Sequence, residues 1–552
     1  MLKGYIKLSL QLFFFMSIIT LSSCDKENDS TPKIVIEPSQ VNIEVELYSS
    51  KTLKAILDDV TLAPEEVIWS SKDTSIVSVD QNGYIHAHWA GETEVVATLI
   101  NGDVSASCRI TAYDKHSYKL RLNLKDKGAS NFSLDRPLEF LSRKAIERRV
   151  NQNLSIDESD LPISQDYIKD VEKIGGKLVA KSKWLKTITV HIDDVTLLDK
   201  YTQLSFVKNV EKVWQGSKAS EKSAKTVEVY EAATGQVSAK SNIDSAYYGE
   251  AWDNIKMNKG HALHELNYKG DGIDIAVIDG GFSNIKTNPS LSNISIKGAK
   301  SFIYEKPNVY EKPDRTDKAH GLWVTSCMAT NIPGKYVGTA PEANYWLFAT
   351  EDSSSEYRVE QDYWVAAMEY ADSVGVDIVN TSLYYKHSGL QPFEYLWENL
   401  DGKTEKATCA ANMAAEKGIL IVCCAGNDNS WVGTPSDSPN ILTVGSVGTS
   451  GLISDFSSFG MTVDGRIKPD IVSLGGYVRV IGESGFINHR FGTSFASPII
   501  CGLAACLWQA NPHLSNKELM DIIKQSADRY SSPELPYGFG IPDMEKALQL
   551  IQ

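Results

Sequence analysis

The chain has 552 residues, of which 42% are hydrophobic and 23% charged, with a formal net charge of −15. At about 150 residues per domain this length suggests three to four domains, and the composition is that of a globular protein with material for a large core. The acidic balance argues against nucleic acid as a partner, and these figures fit neither a small disulfide scaffold nor a polytopic membrane protein.

Lys3 and Lys7 flank and precede an apolar run from Leu8 to Leu21. A spanning helix needs about 20 apolar residues, so this shorter run behind basic residues reads as the core of a signal peptide. Leu21-Ser22-Ser23-Cys24 follows directly and resembles the lipobox of bacterial lipoproteins. The resemblance implies removal of residues 1–23, lipidation of Cys24 and a polar tether over 24–33. The acidic run after Cys24 resembles the surface-export signals of Bacteroidetes-type lipoproteins. The expectation is a lipid-anchored protein of the bacterial cell envelope, at the outer membrane or cell surface. Without Cys24 seven cysteines remain, with no CxxC spacing and no zinc-type Cys/His cluster. Cys423, Cys424, Cys501 and Cys506 lie in apolar runs and read as buried thiols acting as small hydrophobes.

Residues 34–113 read as short strands, "KIVIEPSQVNIEV", "EVIWSSKD", "SIVSVDQNGYIHA" and "GETEVVATLI", separated by turns at Asn82-Gly83 and Gly91. This pattern predicts a β-sandwich. Trp69-Ser70-Ser71, Val77-Ser78-Val79-Asp80, Asn82-Gly83 and Ala90-Gly91 together resemble the bacterial Ig-like domains of surface proteins, which implies a spacer or adhesive module. His86 and His88 read as surface or packing residues rather than ligands.

Residues 114–215 change character. A strand "YKLRLNL", helices "PLEFLSRKAIERRV" and "SQDYIKDVEKIG", strands "KLVAKS" and "TITVHI", a helix near 195–201 and a strand "NVEKVW" predict a small α+β unit. Residues 216–245 are rich in Ser, Ala and Lys without apolar period and read as an accessible linker. From 246 to 552, apolar runs of strand length such as "GIDIAVID", "YWLFAT", "VDIVNTSL", "GILIVCCAGN" and "NILTVGSV" alternate with helical patterns. That alternation predicts a parallel sheet covered by helices on both faces.

Three segments of this last region carry chemistry. "DGIDIAVIDGGF" places Asp279 at the end of a buried strand, "KAHGLWVTSCMAT" places His320 at the start of an apolar helix, and "FGTSFASPIICGLAACLW" places Ser494 where a Gly-containing turn enters another. An acyl-transfer nucleophile needs a base, and the base needs a partner that orients it. Singly, Asp279 fits a turn residue, Ser494 an N-cap and His320 a structural histidine. Together, in this order, the three segments resemble the catalytic blocks of the subtilisin-like serine peptidases (subtilases), and the resemblance covers roughly 246–552. It implies Ser494 as nucleophile, His320 as general base and acid, and Asp279 as the group that holds the imidazole tautomer.

Two further segments match. In "VCCAGNDN", Asn427 stands where the family donates a side-chain amide to the oxyanion. "IVNTSLYY" resembles the strand that lines the substrate cleft and implies Ser382, Leu383 and Tyr384 as substrate-binding residues. Tyr384 departs from the family, which usually has Gly after that Ser-Leu, and Phe495 stands where Met commonly follows the nucleophile. The position and length of 114–215 resemble the family's inhibitory, chaperone-like pro-domain. No cofactor is implied for the chemistry. Subtilases often bind structural calcium, but no EF-hand-type loop marks such a site here.

The expectation is a serine endopeptidase with protein or peptide substrates, attached to a membrane through lipid. A surface binding protein with an inert peptidase-like domain is the competing reading, to which the Ig-like segment and Tyr384 give weight. An esterase with the same triad would more often show G-x-S-x-G, and "GTSFA" at 492–496 lacks its second glycine.

Overall fold

The computed structural model describes residues 33–45, 50–102, 104–217, 243–310, 319–352, 356–386 and 394–551. The expected signal peptide, Cys24, the expected tether before Lys33 and most of the expected linker lie outside the described residues. The chain divides into two units, one up to Tyr113 and one from Asp114 onward.

The first unit is built of strands. Gln40–Glu44, Ser105–Tyr113, Gly91–Leu99 and Val67–Ser71 form one sheet, and two three-stranded sheets accompany it. Burial alternates along these strands, as it must when one face meets a core and the other meets water. Residues of all three sheets, among them Ile36, Ile43, Trp69, Ile85, Val95 and Ile110, share a single apolar core. His88 Nε2 lies 2.8 Å from Ser78 Oγ and the rings of His86 and His88 are 4.8 Å apart, so both histidines serve packing.

In the second unit, residues 114–217 follow the expected order. Strands Lys177–Ser182, Thr187–Ile192, His116–Leu124 and Val207–Ser217 make one four-stranded sheet in that spatial order. The first helix starts later than its sequence pattern suggests. Pro137–Glu139 form a 3-10 turn, and the α-helix runs from Arg143 to Asn151 because Ser142 caps it, accepting from Ala145 N at 3.1 Å. Regular structure also enters the expected linker at both ends, to Ser217 on one side and from Ile243 on the other.

The eight-stranded sheet that follows runs, in spatial order, Ser295–Ser301, Asn344–Ala349, Asp274–Asp279, Ile378–Thr381, Leu420–Cys424, Leu442–Gly448, Ile471–Ile481 and Ile487–Phe491. The first seven are parallel and the last is antiparallel to its neighbour. Side chains alternate between two cores. Ile275, Val277 and Val422 pack with helices His320–Ala329 and Thr493–Ala510, while Ala276, Ile278 and Cys423 pack with Val359–Val374 and Lys406–Glu416. Coverage of both faces explains why the strands read as unbroken apolar runs. Helix Thr493–Ala510 is long and apolar enough to cross a membrane, but 89% of it is buried inside the protein. Cys423, Cys424, Cys501 and Cys506 are buried free thiols; the hydrogen bond with Cys423, followed by burial, raises Cys424 well above the ordinary thiol range, and burial alone does so for Cys501.

Residues 114–217 dock on helix Val359–Val374 through buried charge. Arg121 grips Asp362 with two bonds of 2.7 and 2.8 Å. Arg148 and Arg149 share Asp372, and Arg149 also reaches Asp160 at 2.8 Å. Glu369 accepts from Ser182 Oγ and from Trp184 N. The helix ends at Gly375, whose φ of 91° suits glycine; a Cβ there would lie 2.7 Å from Ala145 N, so the bare backbone allows the 143–151 helix to approach.

Candidate active site

Asp279 is the last residue of a strand flanked by parallel neighbours on both sides, so it emerges at the carboxyl edge of the sheet, where groups from several strands converge. It is fully buried, and its Oδ1 accepts from Gly280 N at 2.8 Å. His320 opens helix His320–Ala329. Gly321 brings that helix start against the loop after Asp279: its N–H donates to Gly281 O at 3.0 Å, and a Cβ on it would lie 2.6 Å from the same oxygen. The result is a carboxylate–imidazole pair, with His320 Nδ1 2.8 and 3.0 Å from the two oxygens of Asp279. A proton held on Nδ1 by the carboxylate leaves Nε2 as the basic nitrogen. The His320 ring is a quarter exposed, so it is open to a substrate while its partner is sealed.

Ser494 is the second residue of helix Thr493–Ala510, entered through Gly492 at φ 144°. N–H groups of a first helical turn have no partner within the helix and aim at a developing negative charge. Ser382, just beyond strand Ile378–Thr381, fixes this turn from below: its Oγ donates to Ser494 O at 2.8 Å, and Ser494 Oγ lies 3.4 Å from Ser382 O. One turn further, Ser497 Oγ donates to Asn380 Oδ1 at 2.6 Å.

Asn427 follows strand Leu420–Cys424 and is exposed. Its Oδ1 accepts from Thr493 N at 2.8 Å and from Thr493 Oγ1 at 2.9 Å. The carbonyl side of the amide is thereby committed, and Nδ2 is the atom left to donate. Thr493 was not singled out in the sequence; its position just before Ser494 was the available signal. Its Oγ1 also accepts from Gly426 N at 3.1 Å, which ties the two loops together.

The three residues read as substrate-binding occupy different settings. Ser382 is buried under Ser494, while Leu383 and Tyr384 are half-buried. Tyr384 OH accepts from Asn427 N at 3.3 Å, and burial pushes its hydroxyl up to about 12. A further group near the site is Glu351, which accepts from Tyr385 OH at 2.7 Å and Thr350 Oγ1 at 2.8 Å. Burial, with the nearby Glu356, pushes its carboxyl up to about 8. Among the described residues no group of three His, Cys, Asp or Glu side chains is arranged to hold a metal.

A serine at a helix N-terminus, a carboxylate-oriented imidazole and an amide at the carboxyl edge of a parallel sheet are the groups that a serine hydrolase of α/β architecture needs. Known proteins narrow the class. A family model described as "Subtilase family" matches residues 270–541, and one described as "Peptidase S8 propeptide domain, Bacteroidota" matches residues 119–228. Subtilisin NAT of Bacillus subtilis subsp. natto is 27% identical over 302 residues, which cover 53% of this chain and 70% of that protein. Subtilisin BL of Lederbergia lenta is 28% identical over 295 residues, covering 53% of this chain and 97% of its own. The crystal structure of the epidermin leader peptide processing serine protease (EpiP) from Staphylococcus aureus shares the fold, with a TM-score of 0.54 and 17% identity over 79% of this chain and 98% of that one. Residues 270–541 belong to the subtilase family, and the protein is a serine endopeptidase acting on protein or peptide substrates.

Proposed function

We propose that this endopeptidase works through Ser494, His320 and Asp279 while held to the bacterial envelope by lipid on Cys24. The observation that carries the catalytic reading is the 2.8 Å contact between His320 Nδ1 and Asp279, beside a serine that starts a helix. Ser494 Oγ attacks the scissile carbonyl as His320 Nε2 takes its proton. His320 then gives that proton to the leaving amine, and water releases the acyl group by the same route. Asp279 stays ionised and stabilises the imidazolium. Asn427 Nδ2 and the N–H of Ser494 receive the oxyanion. Labelling the full chain, with its 216–245 linker cut, with a fluorophosphonate probe tests the reading: an inert binding protein does not label, and an esterase labels without cutting casein.

Removing one preorganised oxyanion donor typically lowers turnover by about 10²–10³. Asn427→Ala is expected to reduce kcat by that order with KM little changed. A loss under threefold would make Asn427 a turn residue only.

Residues 34–113 serve, in this proposal, as an Ig-like spacer, and 114–215 as a pro-domain that templates the parallel sheet and covers the cleft until the 216–245 linker is cut. The docking of 114–217 on helix Val359–Val374 and the propeptide-domain match support it. For the anchor, Cys24→Ser is expected to move the protein from the detergent phase to the soluble fraction or leave it as precursor. Fully processed mutant that still partitions with membranes would overturn the lipid reading.

A further inference from the structure

Tyr384 sits on an extended segment whose alternate side chains face the nucleophile helix and the loop tied to it. Asn380 meets Ser497, Ser382 meets Ser494, and Tyr384 meets Asn427, at steps of two residues. Its ring edge lies along two glycines. A Cβ on Gly426 would stand 3.2 Å from Tyr384 Cε2, and a Cβ on Gly433 would stand 3.1 Å from Cδ2. Any larger residue at either position would press on the ring. Segment 382–384, the Gly426–Asn427 turn and Gly433 thus bound a slot beside Ser494, and the phenol fills it. Swinging the ring away would break its bond to Asn427 N and uncover both glycines.

The slot lies where a substrate side chain must go. A carbonyl carbon attacked by Ser494 Oγ, with its oxygen towards Asn427 Nδ2, carries its own α-carbon one bond away. The segments tied to the Ser494 turn, 382–384 through Ser382 and 426–427 through Asn427, are the ones that can wall that α-carbon. We propose that Tyr384 is the specificity-determining residue for the side chain preceding the cut bond, and that it restricts that position to glycine, alanine or serine. The inference rests on Ser494 and Asn427 acting as proposed above. An aromatic or long aliphatic side chain would have to occupy the volume of the phenol ring. Each extra methylene that a site cannot hold changes discrimination by about 10–200-fold, so a whole ring decides the outcome.

The test is the ratio of kcat/KM for succinyl-Ala-Ala-Pro-Ala-p-nitroanilide over the matching Phe peptide, measured on protein expressed as the full chain and cut within 216–245, after fluorophosphonate titration of active sites. The wild type is expected to favour Ala by more than tenfold. Tyr384→Gly is expected to move the ratio towards Phe by about 100-fold or more. Tyr384→Phe, which keeps the ring and loses only the hydroxyl, is expected to retain the wild-type preference. A wild type that cuts after Phe as well as after Ala overturns the proposal, and so does a probe-reactive Tyr384→Gly with an unchanged ratio. If Tyr384→Gly does not fold, the wild-type and Tyr384→Phe ratios still decide the matter. Absence of probe labelling in wild type whose 216–245 linker has been cut would instead identify a failure of the Ser494 assignment and overturn both.

Discussion

Ser494→Ala is expected to remove peptidase activity while the protein keeps its fold. The substitution deletes one oxygen from a side chain that is 7% exposed, and that oxygen makes a long 3.4 Å contact with Ser382 O. A bond of that length contributes little, so stability should stay within about 0.5 kcal/mol of wild type. The stronger ties of this turn, from Ser382 Oγ to Ser494 O and from Thr493 to Asn427, do not use the lost atom. Activity should nevertheless fall by about 10⁶ in kcat, the scale that loss of the serine nucleophile has in subtilisin itself. His320→Ala should cost about as much, and the double variant should be no worse than either single one, because a base has nothing to activate once the hydroxyl is gone. Casein hydrolysis and fluorophosphonate labelling measure the loss. Wild-type hydrolysis by a clean Ser494→Ala preparation would rule Ser494 out as the nucleophile.

Asp279, His320 and Ser494 were legible because each stands at the end of a strongly apolar element followed or preceded by glycine, where the chain changes from core to edge. The alternation of strand and helix was legible for the same reason: a sheet covered on both faces leaves continuous apolar runs. Contacts between segments distant in sequence were not. Thr493 orients Asn427 across 66 residues, and neither local pattern reports that the two loops meet. Nothing local in "PLEFLSRKAIERRV" marks Arg148 and Arg149 as buried, yet they lie against Asp372 more than 220 residues away. Tyr384 was visible as a departure from the family's glycine, but only Gly426 and Gly433 at its ring edge reveal what that departure fills. The start of the first helix was missed because helix propensity runs through Pro137–Phe140, whereas the cap at Ser142 sets the actual N-terminus.

The largest loss of stability is expected at Asp372. Its carboxylate is fully buried on helix Val359–Val374 and holds two guanidinium groups, Arg148 on Oδ1 and Arg149 on Oδ2 at 3.0 Å. Those arginines are 4% and 1% exposed. Asp160 does not replace Asp372, because it already pairs with Arg149 at 2.8 Å and with Lys417 at 3.0 Å. Asp372→Ala therefore strands a buried positive charge, which typically costs about 3–5 kcal/mol. That is a large part of the roughly 5–15 kcal/mol by which domains are stable. The effect should depend on pH. Burial pushes the Asp372 carboxyl up, but Arg148 and Arg149 outweigh burial and hold it below the usual carboxylate range. A carboxyl lowered by folding adds stability that is fully present above its unfolded value and is lost as pH falls through the lower folded one. The wild type should thus lose this contribution only in acid, and Asp372→Asn should be weaker at neutral pH with a flatter acid limb. Urea unfolding from pH 7 down to pH 3 measures both. Because Arg148 and Arg149 belong to the 143–151 helix, the segment 114–217 should come away from helix Val359–Val374 first in these variants and become sensitive to trypsin before the sheet does. An Asp372→Ala protein within 1 kcal/mol of wild type at neutral pH, with 114–217 as protected as before, would mean that the apolar contacts around Trp184 and Val213, rather than the ion pairs, hold the segment in place.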